Sequence, residues 1–209
     1  TLVLGKTPSP LTGDMAVYSG VTLDNGDLLQ GTSMSAKLED NFWCRYPSPT
    51  QWCNMAYVFR QKPQDHLHPS QQWDKTVAAS PGQSVRAHYK LNEVTRLWDQ
   101  NVYIDGKLVS TLSTSIDERG RHFSLVLECA IGKCAAVPAH GWQDVSVVLN
   151  SADLSFKHSS SWGQGVTGGV MTTPDDGKTW NLTSLSMPET QLPHHIEQAL
   201  TSFQVYGEG

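Results

Sequence analysis

The chain has 209 residues, of which 38% are hydrophobic, and its mean hydropathy is −0.36. No apolar run reaches the roughly 18 residues that a membrane helix needs, so we expect no membrane partner. The net charge is −5 and the 15 Lys and Arg residues are scattered, which provides no basic surface for nucleic acid. This length suits one β-sandwich domain, and we predict a single domain over residues 1–209.

The N-terminal part of the chain predicts strands separated by tight turns. Residues 1–13 are rich in Pro and Gly and are predicted to be extended. Residues 15–23 and 28–38 are predicted strands, and between them Asn25 and Gly26 favour the positive φ angles of a hairpin turn. Side chains alternate between the two faces of a strand. The second strand therefore presents on one face Leu28, Gln30, Thr32, Met34 and Ala36.

The rest of the chain continues the pattern of short strands. A hairpin is predicted where Asp105 and Gly106 separate two alternating segments. Residues 193–203 are instead predicted to form a helix, because Pro193 stands near the start and apolar residues recur at helical spacing. The other predicted strands cover residues 54–60, 84–91, 97–104, 107–112, 123–129, 144–149, 153–156, 164–172 and 179–186.

Many short strands with Gly-rich turns and very little helix are typical of all-β folds. We therefore predict an antiparallel two-sheet β-sandwich, a concanavalin-like jelly roll, with one short C-terminal helix. A sandwich of this kind has a concave sheet face that can bind an extended polymer, and this cleft is the expected functional site.

The four cysteines stand in two close pairs, which predicts two local disulfides. A Cys44–Cys53 bridge would close a loop rich in Pro and aromatic residues, and Cys129–Cys134 would close a second, smaller loop. Asn181 begins an Asn-Leu-Thr glycosylation sequon, and the first residue is Thr1 rather than Met. Together these features predict a secreted protein from an oxidising compartment.

Four segments carry a resemblance to a known family. Residues 27–32 read Asp-Leu-Leu-Gln-Gly-Thr, residues 56–59 Ala-Tyr-Val-Phe, residues 80–85 Ser-Pro-Gly-Gln-Ser-Val, and residues 127–130 Leu-Glu-Cys-Ala. In order and spacing these segments resemble the fungal glutamic peptidases of the eqolisin type, and the likeness extends over residues 16–186. The resemblance implies an antiparallel β-sandwich in which Gln30 and Glu128 are the catalytic pair and a polypeptide is the substrate.

Gln30 and Glu128 also suit this chemistry as residue types. Glu128 alternates with Ser124 and Val126 and shares their face. Apolar surroundings disfavour the charged form of a carboxylate, so Glu128 can serve as a general base toward water and then as a general acid toward a leaving amine. The Gln30 amide is a neutral donor for a developing oxyanion. On the residues alone, a solvated Glu128 and a structural Gln30 are the competing interpretation.

Aromatic and basic side chains are the candidates for substrate binding, since Trp and Tyr combine a broad apolar face with a polar edge. Two histidine pairs, His66 with His68 and His194 with His195, lack a third ligand at suitable spacing, so we expect neither a metal site nor a cofactor. The predicted substrate-binding residues are Trp43, Trp52, Tyr57, His88, Trp98 and Tyr103.

Two other functions stay open. Glutamic peptidases are typically very acidic proteins, whereas this chain carries 15 basic residues against 20 acidic ones, and residues 16–20 lack the family's Trp. The same sandwich can therefore serve an enzyme that cyclises or isomerises a small natural product, or that cleaves a polysaccharide. A lectin-like carbohydrate-binding module is the other alternative, because a sandwich fold does not by itself imply catalysis.

Overall fold

The computed structural model describes residues 1–36, 50–60, 70–192 and 197–204. In these residues the chain is almost entirely strand and turn, and the one helical element is a short 3-10 helix at Phe156–Ser159. The strands in chain order are β1 (Leu2–Val3), β2 (Asp14–Leu23), β3 (Leu28–Ser35), β4 (Trp52–Arg60), β5 (Ser70–Trp73), β6 (Val77–Ala79), β7 (Ser84–Leu91), β8 (Trp98–Ile104), β9 (Lys107–Thr114), β10 (Gly120–Ile131), β11 (His140–Trp142), β12 (Val145–Val148), β13 (Ser160–Trp162), β14 (Thr167–Gly168), β15 (Met171–Thr172), β16 (Thr179–Leu182), β17 (Leu185–Met187) and β18 (Glu197–Gln204).

The strands pair antiparallel into three sheets. The eight-stranded sheet has the order β13-β18-β10-β2-β3-β4-β5, with β6 also paired to β4. The seven-stranded sheet has the order β14-β17-β11-β1-β7-β8-β9, and a small sheet has the order β12-β16-β15. The predicted all-β antiparallel sandwich is therefore confirmed, and the small third sheet is an addition that the sequence did not predict.

The main hydrophobic core lies between the two large sheets. The eight-stranded sheet contributes buried side chains such as Val17, Ala56 and Leu127, and the seven-stranded sheet contributes Val85 and Val102. Because side chains alternate along each strand, the residues between these ones lie on the opposite side of their sheet. Each large sheet therefore has an inner face toward the core and an outer face away from it.

A hydrogen-bonded tyrosine links the two sheets near the middle of β3. The Tyr89 hydroxyl on β7 accepts the backbone N–H of Gly31 and donates to the carbonyl of Ser19 on β2. A Cβ on Gly31 would lie 2.3 Å from the Cβ of Ala87, so glycine is needed for this close approach. These contacts hold β2 and β3 against β7 right beside Gln30.

Both predicted hairpins are confirmed, but the prediction of a C-terminal helix is wrong. The hairpin turn between β8 and β9 uses Asp105 and Gly106 at φ 47° and 80°. Residues Glu197–Gln204 form β18, which pairs with β10 and with β13. Hydrogen bonds to β10 and β13 satisfy the backbone N–H and C=O groups that a helix would pair within itself. This strand pairing outweighs the apolar periodicity that favoured a helix. The strand predicted over residues 153–156 is also wrong, since it is a turn before the 3-10 helix.

One predicted disulfide is confirmed in full. Cys129 and Cys134 are bonded, with their Cα atoms 5.8 Å apart, and they close a short loop at the end of β10. Cys53 also takes part in a disulfide, and its predicted partner Cys44 lies outside the described residues. Among the residues that the structure describes, no helix is long and apolar enough to cross a membrane.

Candidate functional site

The outer face of the eight-stranded sheet carries both predicted catalytic residues. Its own small cluster of Ala16, Tyr18 and Val126, with Leu28 packed against it, is separate from the main core. Strand register places Gln30 and Glu128 on this same side of the sheet. The outer face is defined here by Ala16, Tyr18, Gln30, Thr32, Tyr57, Val126 and Glu128.

Gln30 lies in the middle of this face and is only 7% exposed. Across β3 its neighbours are Gly20 on β2 and Tyr57 on β4. Gly20 has no side chain, and the space over it is filled by Leu28 and Tyr18, whose side-chain atoms would lie 3.1 and 3.4 Å from a Cβ at this position. The backbone after Gln30 is anchored from the inner side by Tyr89. The amide is therefore carried by a rigid, central strand.

Glu128 lies nearer the end of β10, opposite Ala16 on β2 and Glu197 on β18. Its side chain is half-buried. The residues on either side of it, Leu127 and Cys129, point to the inner face and are at most 2% exposed. Inward packing of both neighbours fixes the outward direction of the Glu128 side chain. The Cys129–Cys134 disulfide follows at once and fixes the strand end.

Tyr57 connects the two predicted catalytic residues electrostatically. Burial raises the pKa of the Tyr57 hydroxyl, and the charge of Glu128 raises this pKa further. Tyr57 is also the direct cross-strand neighbour of Gln30.

Strand register sets how far apart these residues lie along the sheet. In a flat sheet, two strand spacings and four residues would separate the Cα atoms of Gln30 and Glu128 by about 17 Å, and those of Tyr57 and Glu128 by about 20 Å. Twist and coiling of the strands turn side chains on a concave side toward one another.

Two polar residues on the outer face were not singled out from the sequence. Thr32 lies two residues after Gln30, between the levels of Gln30 and Glu128, and is 3% exposed. Asp14 begins β2 and is 5% exposed, and the alternation from Ala16 places it diagonal to Glu128. One sequence signal could have identified both residues. Each is a polar residue, acidic or hydroxyl, at an outer-face position of a strand whose other residues alternate and are mostly apolar.

Four of the predicted substrate-binding residues lie away from Gln30 and Glu128. Trp52 belongs to the main core, at 2% exposure, and donates its indole N–H to the carbonyl of Gly5. Trp98 packs between the sheets and donates to the carbonyl of Glu118. His88 and Tyr103 lie on the outer face of the seven-stranded sheet.

His88 and Tyr103 lie away from Gln30 and Glu128 because they belong to the other large sheet. Alternation predicts which residues share a strand face, but strands β7 and β8 belong to the other sheet, so their outward side chains point away from the cleft. Trp52 was expected to line a cleft as a loop residue, and that expectation is wrong because it begins β4 with its ring directed into the core.

Several predicted residues fall outside the described part of the chain, namely Trp43, Cys44, His66, His68, His194 and His195. The sequon residue Asn181 lies in the centre of the small sheet, between Ser146 and Thr172, and is partly exposed. Within the described ranges, no three His, Cys, Asp or Glu side chains lie together in a way that would hold a metal ion.

An open hollow of about 530 Å³ lies elsewhere, at the β1, β11 and β17 end of the seven-stranded sheet. Small and apolar residues form most of its lining, together with His140, Thr167 and Ser186. Burial lowers the pKa of His140, and this ring is the one ionisable side chain of the lining. A neutral imidazole without a second acid or base gives this hollow less chemistry than the outer face of the eight-stranded sheet.

Comparisons with known proteins gave no match: no family model, no curated protein and no solved structure is similar to this chain.

Proposed function

We propose that the protein is a secreted hydrolase of the glutamic-peptidase type, with Glu128 as general base and Gln30 as oxyanion stabiliser. One observation carries the proposal. Gln30 and Glu128 share a buried sheet face, and the Glu128 charge acts on Tyr57, the direct neighbour of Gln30. A chemically matched amide and carboxylate therefore lie on one face of one sheet, although 98 residues separate them in sequence.

The proposed reaction is a general acid–base hydrolysis of a peptide bond. Ionised Glu128 takes a proton from a water molecule as that water attacks the scissile carbonyl carbon. The carbonyl oxygen becomes an oxyanion, which accepts a hydrogen bond from the Gln30 side-chain N–H. Glu128 then gives the same proton to the leaving amine as the C–N bond breaks, so the carboxylate is regenerated.

Burial of the outer face supports this assignment. Gln30 and Thr32 are at most 7% exposed, and electrostatic interactions are stronger where water is excluded. Tyr57 keeps its proton at any physiological pH because its pKa is raised, so it is a neutral hydrogen-bond donor beside Gln30. Half-buried Glu128 and Tyr57 mark the accessible margin of the face, where a substrate would enter.

Secretion is part of the same proposal. The Cys129–Cys134 disulfide is typical of proteins that fold in an oxidising compartment. Asn181 lies on a partly exposed strand and would carry the glycan of its sequon. A mass of the secreted protein that drops on enzymatic deglycosylation, and no longer does so in Asn181→Gln, is the expected result.

The test of the hydrolase is proteolysis of an unfolded protein across the acidic pH range. We expect the wild type to cleave it and Glu128→Gln to lose about 10²–10⁴-fold in rate, the usual contribution of a general acid–base group. Glu93→Gln is the matched control, because Glu93 is an exposed carboxylate in the turn between β7 and β8. Full activity of Glu128→Gln would rule out the proposed role.

A carbohydrate-binding module is the second candidate, favoured by an aromatic row. Trp73 on β5 lies opposite Tyr57 on β4, and Tyr57 lies opposite Gln30. Adjacent aromatic rings beside an amide suit the stacking and hydrogen bonding that a sugar requires. Binding of neutral oligosaccharides that is weakened by Trp73→Ala, with no proteolysis at any pH, would favour this function over the hydrolase.

A further inference from the structure

A buried hydroxyl without a partner lies on the same sheet face as the two proposed catalytic residues. Thr32 is 3% exposed, and within the described part of the chain its Oγ1 has no hydrogen-bond partner. Buried hydroxyl groups are nearly always satisfied, because losing water without gaining another partner is unfavourable. An unsatisfied hydroxyl on a proposed reactive face is therefore a sign of a group reserved for something other than the fold.

The position of Thr32 is set by strand register. It lies on β3 two residues after Gln30, so their Cα atoms are about 7 Å apart and their side chains share the outer face. Across the sheet it is level with Tyr18 and Val126. Glu128 is the next outer-face residue of β10 after Val126. Along the strand direction, Thr32 therefore lies at a level between those of Gln30 and Glu128, on the strand that carries Gln30.

We propose that the Thr32 hydroxyl is a further catalytic group, which donates a hydrogen bond to the oxyanion alongside the Gln30 amide. This inference rests on the proposed hydrolase function and adds a second oxyanion donor to it. A donor with no partner in the free protein breaks no existing bond when the oxyanion forms. Its interaction is then gained in the transition state, which is the kind of interaction that raises kcat.

The test compares Thr32→Val with Thr32→Ser in the full-length protein, using the unfolded-protein substrate. Val keeps the shape and removes the hydroxyl, whereas Ser keeps the hydroxyl. We expect Thr32→Val to lose about 10²-fold or more in kcat with little change in KM, as for removal of one oxyanion donor. Thr32→Ser is expected to retain most of the rate. Thr114→Val, which removes a 2%-exposed hydroxyl from the other sheet, is the matched control.

Thermal unfolding is the readout that a structural role would change. Because the Thr32 hydroxyl has no partner, Thr32→Val should melt at or above the wild-type temperature. A clearly lower melting temperature, an unchanged kcat, or a Ser variant as slow as the Val variant would each overturn the inference. If the wild type is active and Thr32→Val leaves kcat unchanged, only the role of Thr32 is overturned. An inactive wild type overturns the hydrolase function and the inference together.

Discussion

Polar side chains are exposed to solvent on the outer face of the seven-stranded sheet and buried on the outer face of the eight-stranded sheet. On the seven-stranded sheet, Arg86 and Lys90 are exposed, and the Arg86 guanidinium stacks over the Tyr103 ring at 5.5 Å. Other polar groups there are paired along the surface, as in the Thr111 hydroxyl that donates to the Asn101 amide oxygen at 2.8 Å. On the eight-stranded sheet, the outer-face residues Gln30, Thr32 and Ser124 are at most 7% exposed.

This contrast indicates where to search for chemistry in a chain that matched no family model, curated protein or solved structure. A solvated polar face costs little, because water satisfies each group. Burying a polar group without a partner costs about 1–3 kcal/mol. Among the described residues, buried polar atoms without a partner occur in both large sheets: the Thr32 hydroxyl on the outer face of the eight-stranded sheet, and the Gln100 amide and Trp142 indole N–H on strands of the seven-stranded sheet. Thr32 differs from Gln100 and Trp142 in sharing a sheet face with Gln30 and Glu128, and that shared face connects it to the proposed chemistry.

The largest expected effect is on the catalytic rate. Gln30→Ala should lower kcat by about 10²–10³-fold, as removal of an oxyanion donor does. Asn101→Ala removes an amide from the outer face of the seven-stranded sheet and should leave the rate within a factor of two, since no catalysis is assigned there. Initial rates on the unfolded-protein substrate measure both. Equal losses in the two variants would remove the distinction between the faces.

The sequence predicted the strand faces and the turns of the eight-stranded and seven-stranded sheets well. Alternation along β3 and β10 grouped Gln30 with Thr32 and Glu128 with Val126 on one face of each strand, and the strand register agrees. Turn chemistry predicted the hairpins at Gly26 and at Gly106, because few residues adopt the positive φ that these turns need.

The sequence could not predict which strands become neighbours. His88 and Tyr103 have the same alternation as cleft residues, but the order of strands places them on the other sheet. Residues Glu197–Gln204 have an apolar periodicity that also fits a helix, and their pairing with β10 decided for a strand. These outcomes depend on long-range pairing, which a local pattern does not encode.

The second-largest expected effect is a loss of stability when the disulfide at the end of β10 is removed. The Cys129–Cys134 bridge closes a loop with a sequence separation of 5. Loop-closure entropy for so short a loop amounts to about 2 kcal/mol. Replacing both cysteines by Ser should lower the free energy of unfolding in urea by about this amount, and should slow catalysis because Glu128 immediately precedes the bridge. An unchanged urea midpoint would contradict the expectation.

The smallest expected effect concerns His88 on the solvated face. Burial, then the charges of Arg86 and Lys90, lower the pKa of His88. Above the unfolded pKa of about 6.5 both states are neutral and His88 adds no pH dependence. Below it the unfolded chain takes up the proton more readily, so stability falls as the pH drops.

Lys90→Gln should raise the pKa of His88, as measured by NMR titration of the ring, because it removes one repelling charge. The rate of hydrolysis should not change, since His88 lies on the sheet without the proposed site. A lower pKa in the Lys90→Gln protein would contradict the electrostatic account of this face.

The most direct test of the central claim is a double-mutant cycle on kcat with Gln30→Ala, Glu128→Gln and the doubly substituted protein. Residues that act on one reacting centre have strongly non-additive effects. We expect the double variant to be about as slow as the slower single variant. If instead the two losses multiply, as they do for independent sites, Gln30 and Glu128 do not form one catalytic unit.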